Sequence, residues 1–203
     1  MGTVNEEKRM EAMAALVNAG LKSGAEVLNQ MLETDIRMAT PAIQMLEKDF
    51  EARLSQPATL PLTVVEMGFD GRLKGNSGLI FDEESARRFV EKVSGEAVDP
   101  DEFDFVSAGV LTEIGNIVLN RVMGAISNAL SLSLDYVVPT FFQGELERLW
   151  RDTGVDTDEL TGMMARTRFE IADVAANGNI VLFFDRDSYQ ILQTIMAEMP
   201  LLD

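Results

Sequence analysis

The alternation of apolar and polar positions predicts helices and short strands in an order that occurs twice along the chain. Apolar residues three and four apart indicate amphipathic helices, and apolar residues two apart indicate strands with one buried face. Asn5 is the expected N-cap of the first helix, and Asp70, Gly71 and the stretch 74–77 supply turn residues between two strands. The elements predicted in the first half are a helix over 5–31, a strand over 35–40, a helix over 42–54, strands over 62–69 and 78–81, and a helix over 83–93.

The second half repeats this order after an acidic, proline-containing linker over 95–101. Its last two strands are expected to meet at Asn177 and Gly178, because an Asn-Gly pair is a strong signal for a hairpin turn. Trp150 is interpreted as a core residue, with a surface for partner docking as the alternative. The elements predicted here are a helix over 107–130, a strand over 133–142, a mixed acidic and apolar segment over 144–164, strands over 167–174 and 179–184, and a helix over 188–199.

Two pairs of residues share the same spacing in the two halves. Twenty-two residues lie between Asn18 and Pro41, and twenty-two lie between Asn116 and Pro139. Identity between the halves is thin elsewhere, so the shared order of elements is the main support for an internal duplication.

A similar five-residue sequence lies at the start of a predicted helix in each half. The stretch 81–85 (Phe-Asp-Glu-Glu-Ser) resembles 184–188 (Phe-Asp-Arg-Asp-Ser), and each closes an apolar run. The repeated order predicts a single α+β domain over 1–203, built from one repeat over about 5–95 and another over about 103–203. Pseudo-twofold symmetry, a mostly antiparallel sheet and long surface helices are expected.

The helix predicted over 107–130 carries the candidate chemistry. Glu113 and Asn116 are three positions apart, so their side chains share one face, and Asn120 lies one turn beyond. A carboxylate beside a carboxamide suits a charged partner group together with a water molecule. Such pairs also occur by chance on solvated helix faces, and the echo of the spacing to Pro139 is what favours a functional pair.

These residues resemble the motif of the CheC-type chemotaxis phosphatases, a family related to CheX and to the flagellar switch protein FliY. The motif is Ser or Asp, three residues, Glu, two residues, Asn, and a spacer to Pro like the one between Asn116 and Pro139. CheC proteins carry this motif twice in a chain of similar length. Glu113, Asn116 and Pro139 match the second copy, and Gly109 stands where the family has Ser or Asp.

The first copy of the motif is degenerate. It keeps Asn18 and Pro41, has Glu11 at the Ser/Asp position, and has Ala15 in place of the Glu. No carboxylate lies three residues before Asn18, so the site formed by this first copy is expected to be weak or inactive. Asn18 is interpreted as a residue that helps packing or capping. Pro41 and Pro139 are expected to end helix-to-strand segments rather than to contact a substrate.

The resemblance implies hydrolysis of the aspartyl phosphate on a CheY-like response regulator. The regulator supplies Mg²⁺ and a lysine in that family, so the phosphatase needs no cofactor or metal of its own. Asn116 would hold a water in line with phosphorus, and Glu113 would pair with the regulator's lysine. The missing side chain at Gly109 implies lowered efficiency or an altered choice of partner. CheD, a receptor-modifying glutaminase, is a further partner that the family implies.

Composition narrows the function classes without singling one out. The 17 basic and 34 acidic residues give a net charge of −17, which argues against nucleic acid and anionic membranes as partners. The absence of histidine and cysteine excludes a histidine base, a thiol nucleophile and a zinc–thiolate site. We find no acidic cluster with metal-site spacing, no membrane-spanning apolar run and no signal peptide, so a cytoplasmic protein is expected.

The rival class is a non-catalytic adaptor that binds the phosphorylated regulator or CheD without turnover. Ala15 and Gly109 favour the adaptor because both depart from the family motif, and the intact Glu113 and Asn116 favour the enzyme. A flagellar-motor component and a CheX-like dimer are less favoured. An enzyme for an unrelated small substrate is a further alternative, and nothing in the sequence supports a pocket for one.

Overall fold

The computed structural model describes residues 2–40, 42–46, 62–95, 97–98, 105–145, 148–151, 161–171 and 174–198. Within these residues the helices are α1 (Gly2–Leu32), α2 (Glu83–Ser94), α3 (Phe105–Ala129), α4 (Arg148–Arg151) and α5 (Arg186–Glu198). The strands are β1 (Ile36–Ala39), β2 (Ile43–Leu46), β3 (Leu62–Gly71), β4 (Gly75–Phe81), β5 (Leu134–Tyr136), β6 (Thr140–Gly144), β7 (Thr161–Ile171) and β8 (Val174–Phe184). This is the α+β architecture that the sequence predicts.

The two echoing stretches of sequence start their helices in the same way. Asp82 precedes α2, and its side chain accepts a hydrogen bond from the backbone N–H of Ser85 at 2.7 Å. Asp185 precedes α5 and accepts from the backbone N–H of Ser188, also at 2.7 Å. Each carboxylate satisfies one of the N–H groups that a helix leaves unpaired at its start. The sequence echo is therefore a repeated capping device.

The strands form an antiparallel sheet. Counted from either edge, corresponding strands of the two halves follow in the same order. The order is β1-β7-β8-β4-β3-β5, with β2 also paired to β7 and β6 also paired to β3. The short strands that follow the long helix of each half therefore pair with the hairpin of the other half, and β4 and β8 pair at the centre. Two repeats related by a twofold axis would give this exchange. The duplication and its repeat bounds stay predictions.

Alternation along the strands produces a core on each face of the sheet. Neighbouring strand residues point to opposite faces, so Val65 and Phe81 enter the larger core while Val64 and Ile80 enter the smaller one. The larger core also contains the apolar faces of α1, α2, α3 and α5, and the smaller one is covered by Leu149 of α4. Packing on the larger core places α1 directly against α3. No helix in the described part of the chain is long and apolar enough to cross a membrane.

The helix predicted over 42–54 is wrong where the structure describes it. The segment that carries its first apolar residues forms β2, which pairs with β7. An isolated helix turn over the four residues of β2 would gain little stability. The neighbouring edge of β7 instead offers these residues a ladder of backbone hydrogen bonds. Tertiary pairing therefore overrides the local pattern.

The hairpin turn predicted at Asn177 and Gly178 is also wrong. Both residues lie within β8, and its pairing with β7 continues to the ends of both strands. A Cβ at Gly178 would lie 2.8 Å from Cε2 of Phe169 and 2.9 Å from Cε1 of Phe81. The glycine thus makes room for two aromatic rings in the core, and it does not serve a turn.

Pro139 divides the strand predicted over 133–142 into β5 and β6. Val137 still donates its backbone N–H to the carbonyl of Gly68 at 2.9 Å, and pairing with β3 resumes at Thr140. A proline has no N–H to donate to the ladder, so the pairing breaks at this point.

Two smaller predictions at element ends are wrong. Asn5 lies inside α1, which begins at Gly2, and a helical backbone cannot be that of an N-cap. Gly75 begins β4, so Asn76 and Ser77 belong to a strand rather than to the turn.

Several predicted features fall outside the described residues. They are Pro41, the later part of the helix predicted over 42–54, most of the linker over 95–101, the segment 152–160 and the side chain of Trp150. The two interpretations of Trp150 therefore stay predictions.

Candidate functional site

One polar face of α3 carries the predicted pair. Glu113 is exposed and Asn116 is half-buried, with Gly109 one turn before the pair and Asn120 one turn after it. We call these four residues the α3 stripe. The rest of the helix is anchored by buried residues in the larger core, among them Leu111, Ile114, Val118 and Val122. The stripe therefore projects from an element that its buried side holds in place.

Asn116 forms a side-chain hydrogen bond with Asn120. The Nδ2 of Asn120 donates to the Oδ1 of Asn116 at 2.6 Å and to its backbone carbonyl at 2.8 Å. The Nδ2 of Asn116 has no hydrogen-bond partner in the part of the chain that the structure describes. The sequence placed Asn120 one turn beyond Asn116 but gave no role for it, although residues four apart on a helix are within reach of each other.

The other two residues of the stripe are open to a partner. Glu113 is exposed, and the ion pairs within the described residues do not involve it. Gly109 is exposed too, and apart from the adjoining residues and backbone of its own helix no heavy atom lies within 4 Å of the position that its Cβ would occupy. A carboxylate in this setting can form a charge-assisted hydrogen bond with a cation of a partner protein.

Asn18 is bonded to the residue that directly follows β1. Its Nδ2 donates to the carbonyl of Thr40 at 2.8 Å, and its Oδ1 accepts from the N–H of Thr40 at 2.9 Å. Asn29, three turns further along α1, makes the same pair of bonds with Ile36 at the other end of β1. We call Asn18 and Asn29 the α1 clamp. The sequence gave no signal for Asn29, because its partner becomes a neighbour only when β1 folds back along α1.

The second half has no such clamp within its described residues. Ser127 stands at the position equivalent to Asn29, and its hydroxyl oxygen lies 3.4 Å from the hydroxyl of Tyr136. The helix α1 packs along β1, whereas α3 has only slight contact with β5. The two predicted half-sites therefore differ in the structure, because Asn18 is closed onto its own strand and Asn116 is not.

Asn18→Ala is expected to lower the free energy of unfolding by about 2 kcal/mol. Thr40 is buried, at 3% exposure, and the substitution leaves its backbone N–H and C=O without the Asn18 carboxamide. Urea titration of the wild type and the variant measures the change. Lys22→Ala is the control, since Lys22 is exposed on the same helix. Equal unfolding midpoints for all three proteins would show that the bonds between Asn18 and Thr40 contribute nothing to stability.

The structure keeps the two half-sites on separate helices. Across the described residues, no group of three or more acidic side chains is placed to hold a metal ion. Glu113, Asn116 and Asn120 come together on α3, and Asn18 lies on α1. What the stripe offers is one carboxylate and two hydrogen-bonded carboxamides for a ligand that brings its own reactive groups.

The sequence is similar over almost its whole length to a phosphatase. It is 23% identical, over 200 residues, to the CheY-P phosphatase CheC of Bacillus subtilis strain 168, and the alignment covers 96% of this chain and 89% of CheC. No protein-family model matches the sequence.

Solved structures share the fold. FliY of Thermotoga maritima superposes with a TM-score of 0.72 at 15% identity, covering 94% of this chain and 96% of FliY. A chain of the FliG–FliM complex from H. pylori gives 0.66 at 10% identity, covering 95% and 99% of the two chains. A chain of the CheX–CheY–BeF3–Mg²⁺ complex from Borrelia burgdorferi gives 0.50 at 21% identity, covering 83% and 96%. The resemblance to the CheC, CheX and FliY proteins is therefore confirmed.

Proposed function

Starting from the fold of the CheC, CheX and FliY proteins and from the similarity to CheC, we propose that this chain dephosphorylates a CheY-like response regulator. The observation that carries the proposal is the α3 stripe, where Glu113 and Asn116 lie side by side on an anchored helix. Two comparisons support the choice of substrate. The sequence is similar to a CheY-P phosphatase, and the fold is shared with a chain of a complex between CheX and CheY.

In the proposed reaction this chain forms no covalent bond with the substrate. A water oxygen attacks phosphorus, the bond between phosphorus and the aspartyl oxygen breaks, the electron pair stays on the regulator's aspartate, and both protons of the water leave on the phosphate as H₂PO₄⁻. The regulator brings the acyl phosphate, Mg²⁺ and a lysine as parts of the substrate. Asn116 accepts a hydrogen bond from the water and holds it in line, which is a positioning role rather than that of a base. No histidine or cysteine is needed for this step.

Glu113 would dock the regulator. A carboxylate that lies exposed one turn from Asn116 can pair with the regulator's lysine and so set the angle at which the acyl phosphate approaches. Gly109 offers no side chain to add to this contact. The open space around it would accept a serine, so its effect on docking is a missing contact and not an obstruction.

Glu113→Gln is expected to raise the half-saturating concentration of phosphorylated regulator about 10-fold, because loss of one charge-assisted hydrogen bond weakens docking by that order. The maximal rate is expected to change much less. Release of phosphate from a regulator charged with acetyl phosphate, measured with increasing regulator, gives both quantities. Glu26→Gln removes the same charge from an exposed position on α1 that belongs to neither motif copy, and it is the matched control. If wild type fails to accelerate phosphate release, the proposed function is wrong.

A non-catalytic adaptor is the second candidate. Gly109 and Ala15 favour it because both depart from the phosphatase motif, and the FliG–FliM complex is a case in which the same fold is bound to another protein. The adaptor would bind the phosphorylated regulator, or CheD, without turnover. Binding of the charged regulator by wild type with no faster loss of phosphate would establish this alternative.

A further inference from the structure

The bonds between Asn120 and Asn116 determine which way the Asn116 carboxamide faces. A carboxamide has two ends of nearly equal size, of which the oxygen accepts and the NH₂ donates. The atom of Asn120 that lies 2.8 Å from the backbone carbonyl of Asn116 must be its Nδ2, because a carbonyl oxygen can only accept. The same Nδ2 lies 2.6 Å from the Asn116 side chain, so the near end of that side chain is Oδ1.

This arrangement leaves a defined set of groups for a ligand. Oδ1 has two lone pairs, and Asn120 uses one of them. The second lone pair remains for a water molecule. If Asn120 were removed, the Asn116 carboxamide could turn over about its Cβ–Cγ bond, since this torsion has two wells of similar energy. The group presented to the water would then alternate between an acceptor and a donor.

We propose that Asn120 is a positioning residue, which holds Asn116 so that Oδ1 offers its free lone pair to the attacking water. The role of the water rests on the proposed function, but the orientation of the carboxamide does not. The first half has the exposed Lys22 at the position equivalent to Asn120, and there Thr40 holds the carboxamide of Asn18. Each half therefore orients its asparagine through a different partner.

Asn120→Asp and Asn120→Ala separate orientation from simple loss of a contact. Aspartate is almost the same size as asparagine, but its carboxylate only accepts hydrogen bonds. It would attract the Nδ2 of Asn116 and turn the carboxamide over, whereas alanine would only release it. In the phosphate-release assay we expect kcat to fall about 10-fold or more in Asn120→Asp and by a smaller factor in Asn120→Ala. Asn128→Asp adds the same charge at an exposed position on α3 and is expected to keep the wild-type kcat.

The values of kcat and of the half-saturating regulator concentration distinguish a positioning role of Asn120 from other roles. A larger loss of kcat in Asn120→Asp than in Asn120→Ala, with the half-saturating regulator concentration little changed, supports positioning. Wild-type kcat in both variants overturns the proposal. A raised half-saturating concentration with unchanged kcat overturns it as well, because Asn120 would then contact the regulator directly.

A second measurement does not depend on turnover. In ¹⁵N-labelled protein, the side-chain amide signals of Asn116 are identified by their loss in Asn116→Ala. We expect these signals to shift strongly in Asn120→Asp, because Nδ2 gains a carboxylate partner, and little in Asn128→Asp. Unshifted signals in Asn120→Asp overturn the proposal. If wild type hydrolyses nothing while the signals shift, the proposed function fails and the orienting role of Asn120 stands.

Discussion

Asn116→Ala is expected to slow dephosphorylation of the regulator about 100-fold, the scale of losing one well-placed polar group at a reacting centre. The variant removes the carboxamide that holds the water in line and leaves the docking carboxylate of Glu113 in place. Phosphate release from a regulator charged with acetyl phosphate measures the rate. Binding of the charged regulator, measured separately, is expected to stay near the wild-type affinity.

Asn128→Ala is the matched control for this result. Asn128 is an exposed asparagine on the same helix, beyond the α3 stripe, so its removal is expected to leave both rate and binding unchanged. An Asn116→Ala protein as active as wild type would remove Asn116 from the mechanism. Loss of binding together with loss of rate would instead make Asn116 a docking residue.

Gly20→Ala is expected to destabilise the fold by about 3 kcal/mol, which is at the upper end of the cost of overpacking a core. A Cβ at Gly20 would lie 2.4 Å from the Cα of Val122 and 2.7 Å from the backbone oxygen of Arg121. These are backbone atoms of α3, so no side chain can rotate away, and α1 and α3 must separate. Urea or thermal unfolding measures the loss of stability.

Gly124→Ala provides the opposite result on the neighbouring helix. Apart from the adjoining residues and backbone of its own helix, nothing lies within 4 Å of the position of its Cβ, so the methyl group meets no obstacle. Alanine is about 0.8–1.0 kcal/mol more favourable than glycine inside a helix, and Gly124→Ala is therefore expected to raise stability by up to this amount. Equal changes in the two variants would show that the α1–α3 contact is looser than the structure indicates.

The sequence determined the features that depend on short segments. Apolar spacing placed the long helices within a few residues of their observed ends, since one buried stripe fixes a helix wherever the core lies. The echo of Asp82 in Asp185 predicted two helix starts, because an N-cap bond joins residues only three apart. The spacing of Glu113 and Asn116 was enough to place them on one helical face.

Only the tertiary structure decided the features that join distant parts of the chain. The segment of β2 became a strand because the edge of β7, more than a hundred residues away, offered it backbone partners. Gly178 lies in a strand because β8 pairs with β7 on one side and with β4 on the other, and its missing Cβ leaves room for two phenylalanine rings. Both outcomes depend on neighbours that no local pattern records.

The same division separates the two asparagines of the echoed motif. The sequence by itself showed that Asn18 lacks a carboxylate one turn before it and that Asn116 has one. It could not show that the Asn18 carboxamide is hydrogen-bonded to the backbone of Thr40, or that Asn120 orients the Asn116 carboxamide. Residue identity is written in the chain, but the direction in which a carboxamide faces is set by the donors and acceptors that folding brings within about 3 Å of it.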